Sequence, residues 1–135
     1  MAKSNANSPV VLTAYIGTVS TAGSCPLFNI PKNFILTSVL LLDQAGIAAD
    51  NTNYVTLTAK KGATAIAALD TRAANQGAAT ALVGKAFALD AAVVAGLVAN
   101  GVAYEIPAGD YSLLYAEGGS GTTTLAQVQF YGYFK

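Results

Sequence analysis

Seven carboxylates, one thiol, seven tyrosines and a single Gly-Lys pair are the side chains on which any chemistry of this chain would have to rest. Histidine is absent. Its absence removes Ser-His-Asp and Cys-His nucleophilic systems, the commonest general base, and most zinc and iron sites. No Ser-x-x-Lys occurs, so a Ser-Lys hydrolase has no motif to start from. Gly84-Lys85 fails as a phosphate loop at two positions. That loop needs a glycine ahead of four spacer residues and a Ser or Thr after the lysine, and Ala79 and Ala86 stand there. Gly118-Gly119-Ser120-Gly121 falls between two strand patterns with no helix after it, so it reads as a hairpin turn and not as a dinucleotide site.

Paired carboxylates are the remaining route to catalysis. Asp43 and Asp50 flank one loop, and Asp70, Asp90, Glu105, Asp110 and Glu117 stand near strand ends. Glycosidases use such pairs, and Ca²⁺ takes several oxygens of this kind. Asp at strand ends also caps and stabilises turns, and that is the role expected here. Cys25 is alone, which excludes an intrachain disulfide and a cysteine-based metal site. With no histidine to activate it, it reads as a buried, inert thiol. The chain is expected to be no enzyme and to carry no metal and no cofactor.

Charge is scarce. The 135 residues, enough for one domain, are 53% hydrophobic and only 10% charged, against about 25% in an ordinary soluble domain. A surface short of charge is either hidden against partners or coated with Thr, Ser, Asn and Gly. Net charge is +0, and the one basic pair, Lys60-Lys61, reads as a solvated strand end before Gly62. Nucleic-acid binding needs a concentrated basic surface, so no nucleic acid is expected. No membrane is expected either, because the uncharged stretch from Ala91 to Tyr104 is too short and too interrupted by Gly and Asn to span a bilayer. The polar N-terminus has no apolar signal region, so synthesis in the cytoplasm is expected.

The elements that must position these residues read as strands. Residues 1–9 read as a flexible arm, and 10–135 as a single β-sandwich domain. Val10–Gly17 alternates Val10, Leu12, Ala14 and Ile16 against Val11, Thr13 and Tyr15. A short strand bracketed by Pro26 and Pro31 belongs at an edge or a strand end. Phe34–Asp43, Asn53–Lys61, Ala63–Leu69, Leu82–Leu89, Val102–Ile106, Tyr111–Glu117 and Thr122–Phe134 follow, with at most one short helix between Asp90 and Gly101. About eight or nine strands with frequent turn signals indicate an all-β, antiparallel, jelly-roll-like sandwich or barrel.

Two strands look unusual. Phe34–Leu42 is apolar on both faces, where a one-sided strand would alternate with polar residues. Its second face, assigned to Ile35, Val39 and Leu41, is therefore expected to meet another subunit or a covering loop. In the last strand Ala126, Val128, Phe130 and Phe134 claim the core, which leaves Gln127, Gln129, Tyr131 and Tyr133 as a second candidate interface.

Three segments carry a resemblance: Asn53-Tyr54-Val55-Thr56-Leu57-Thr58-Ala59-Lys60-Lys61-Gly62, Ala68-Leu69-Asp70-Thr71-Arg72 and Ile106-Pro107-Ala108-Gly109-Asp110-Tyr111. Together they resemble the small jelly-roll cement (decoration) proteins of tailed-bacteriophage capsids, over roughly residues 30–134 in pattern and composition. The resemblance implies a homotrimer on the outside of the virion head, clamping neighbouring major capsid protein subunits without catalysis or cofactor. A head-fibre or tail-tip module that binds a receptor or glycan is the alternative.

Overall fold

The computed structural model of the chain describes residues 9–91 and 104–134. Ten strands run in order: β1 (Val10–Gly17), β2 (Gly23–Ile30), β3 (Phe34–Leu42), β4 (Tyr54–Lys61), β5 (Thr64–Asp70), β6 (Lys85–Ala86), β7 (Ala88–Leu89), β8 (Tyr104–Ile106), β9 (Gly109–Gly118) and β10 (Ala126–Phe134). They form two five-stranded sheets. The first has the order β1-β10-β3-β6, with β8 also on β3, and the second has the order β2-β9-β4-β5-β7. Every pairing is antiparallel.

The pairs are nested: β1 with β10, β2 with β9, β3 with β8, β4 with β5. A long ribbon of strand pairs has rolled up so that successive pairs alternate between sheets. That is the jelly-roll arrangement. It is a sandwich of two sheets, not a closed barrel.

Local sequence explains most elements. In β4, Val55, Leu57 and Ala59 are fully buried while Thr56, Thr58 and Lys60 alternate outward. Gly62, at φ 58°, occupies the first position of the two-residue β4–β5 turn, where a tight hairpin favours glycine. Pro26 lies in β2, which among the described residues is an edge strand bonded only to β9, where a missing N–H does least harm. Phe130 of β10 sits at the centre of the core, edge-on to Phe28 at 4.9 Å and to Tyr111 at 6.0 Å between ring centroids. Such pairs add about 0.5–1.5 kcal/mol each beyond area burial.

Three expectations change. Leu82–Leu89 is not one strand but β6 and β7, in different sheets, with buried Phe87 between them bonded to Val39. Gly118–Gly121 is no hairpin, because β9 and β10 belong to opposite sheets and the segment crosses between them. The face assignment of β3 is wrong, for a reason given below. Residues 1–8 of the expected arm and nearly all of the short helix lie outside the described residues.

Candidate interaction face

Alternation along β1, β10 and β3 sends one set of side chains into the core and the other to the outside of the first sheet. Register defines the outer rows. Tyr15 neighbours Gln127, which neighbours Leu42. Thr13, Gln129 and Leu40 form the next row, then Val11, Tyr131 and Ser38. Tyr133, Ile35 and Glu105 form the last.

The three long strands of this face lack charge, and the carboxylate of Glu105 stands at its margin, on β8. The 8, 9 and 9 residues of β1, β10 and β3 include no charged side chain. The outside of the second sheet is ordinary by comparison, with Thr56, Thr58 and Lys60 of β4 beside Ser112 and Leu114 of β9 and Asp70 of β5. Large apolar groups stand exposed around the first face: Tyr15 at 63%, Leu82 at 66%, Val83 at 56%, Leu125 at 49% and Val11 at 47%. Aromatic and aliphatic groups without charge are the composition of an interface centre.

Two open grooves mark opposite ends of the face. One, of about 290 Å³, is lined by Tyr15, Leu42, Gln44, Leu82, Leu125 and Gln127. The other, of about 310 Å³, is lined by Pro9, Val10, Val11, Thr37, Tyr131, Gly132 and Tyr133.

The expected interface residues divide. Gln127, Gln129, Tyr131 and Tyr133 lie outward and half-buried as expected, and Tyr131 donates its hydroxyl hydrogen to Gln129 at 3.0 Å. Ile35 is outward but already buried within the chain. Val39 and Leu41 point the opposite way, into the core, opposite Phe130 and Val128. The cause is a bulge. Leu36 pairs with Gly132 and Ser38 with Tyr131, so Thr37 has no partner and reverses the phase of every later residue. Leu40 and Leu42 therefore face outward with Ile35. The bulged Thr37 donates its hydroxyl hydrogen back to the Tyr131 carbonyl at 2.9 Å.

Leu82, Val83 and Leu125 were missed as face residues because strand patterning absorbed them. Each is a large apolar residue in a turn-rich stretch, and that was the available signal.

Three carboxylates, Asp43, Asp50 and Asp70, act as loop clamps. Asp43 is fully buried. Its Oδ1 accepts the Ala45 and Gly46 N–H groups at 3.1 and 2.9 Å, and its Oδ2 accepts that of Thr124 at 2.8 Å. Asp50 caps its own turn, and the N–H groups of Thr52 and Asn53 hold its carboxyl below the usual range. The two carboxylates thus face backbone donors. Asp70 ion-pairs with Arg72, which lowers the Asp70 pKa, and the Arg72 guanidinium lies 4.5 Å over the Tyr54 ring. Burial pushes the Cys25 thiol up, which disfavours the reactive thiolate. Tyr111 and Leu113 belong to the core, with Tyr115 packed against it.

No family model, curated protein or solved structure matches the chain.

Proposed function

We propose that this chain is a non-enzymatic structural subunit of a virion, a cement protein that oligomerises, as a trimer, on the outside of a phage head and stabilises contacts between major capsid subunits. The observation that carries the assembly role is the uncharged outer face of β1, β10 and β3, with half-exposed Val11, Tyr15 and Leu125 at its margins. A free monomer ordinarily coats such a face with Lys and Glu. The nested jelly-roll pairing agrees with this reading, and the phage-head setting rests on the three segments that resemble cement proteins.

The test mixes the purified chain with expanded phage heads assembled from major capsid protein alone, followed by sedimentation and light scattering. The expected result is co-sedimentation at a fixed ratio and a mass of three chains in solution. A chain that stays monomeric and remains in the supernatant overturns the proposal. The groove beside Tyr131 and Tyr133 favours a second reading, a receptor- or glycan-binding module, since tyrosine faces suit sugars and partner proteins alike. Binding on a glycan panel that is lost in Tyr131→Ala and Tyr133→Ala would support that reading over the first.

A further inference from the structure

We draw no further inference here: the strongest candidate, the outer edge of β1, which among the described residues pairs only with β10 and has neither charge nor proline along Val10–Gly17 to blunt it, would accept any extended chain, and nothing in the structure shows what covers it.

Discussion

At the scale of single residues, this protein uses buried polar groups as latches. Thr123 is fully buried, accepts the Val19 N–H at 2.9 Å and donates to the Gly17 carbonyl at 2.9 Å, so one hydroxyl joins the end of β1 to the approach to β10. Asp43 does the same for three backbone donors. In Asp43→Asn the side chain keeps one oxygen, and its NH₂ must then face a backbone N–H. An unsatisfied buried donor costs about 1–3 kcal/mol, so urea denaturation should show a loss of that order. Tyr111 contributes a pH effect. Burial raises its pKa from 10.0 to about 12, and its hydroxyl donates to the Pro107 carbonyl at 2.6 Å. The folded state therefore holds the phenolic proton more tightly than the unfolded state. This contribution is whole below pH 10 and is lost as pH rises through about 12. Thermal midpoints measured across the alkaline range should fall less steeply in Tyr111→Phe than in the wild type.

At the scale of elements, the bulge in β3 decides what the strand means. Without Thr37, Leu36 and Ser38 would still pair with consecutive residues of β10, and the alternation would be regular. Deleting Thr37 should therefore leave the core intact, with a cooperative unfolding transition and native-like near-UV circular dichroism. Deleting Leu40 should not, because Leu41 would be driven outward and Leu42 into the core. Equal damage from both deletions would show that the bulge is not what sets the phase. Sequence reading recovered the position of β3 to within a residue of its end but not its faces. A bulge adds no unusual residue type to the chain. It is created by the register with β10, some ninety residues away.

At the scale of the whole molecule, one core is shared by two sheets and centred on Phe130. Its ring meets β2 through Phe28 and β9 through Tyr111, both in the opposite sheet. Phe130→Ala should cost about 3–5 kcal/mol, and it should lower a single cooperative transition rather than detach one sheet. Two transitions in calorimetry would contradict a shared core. The outer face, by contrast, belongs to the first sheet alone, so changes at Tyr131 or Leu125 should move association more than stability.

The all-β class, the exclusion of Pro26 from a sheet centre, the inward sets of β4 and β10, and the scarcity of charge were all determined by the sequence alone. Each is a local property, written in alternation or composition. Only the tertiary structure decided that Val39 and Leu41 face the core, that Leu82–Leu89 divides between two sheets, and that Gly118–Gly121 crosses from one to the other. It alone brought Leu82 and Leu125 together over Asp43. These outcomes depend on pairings between residues 20 to 107 positions apart, and a pattern read along the chain has no access to which distant strand supplies the partner.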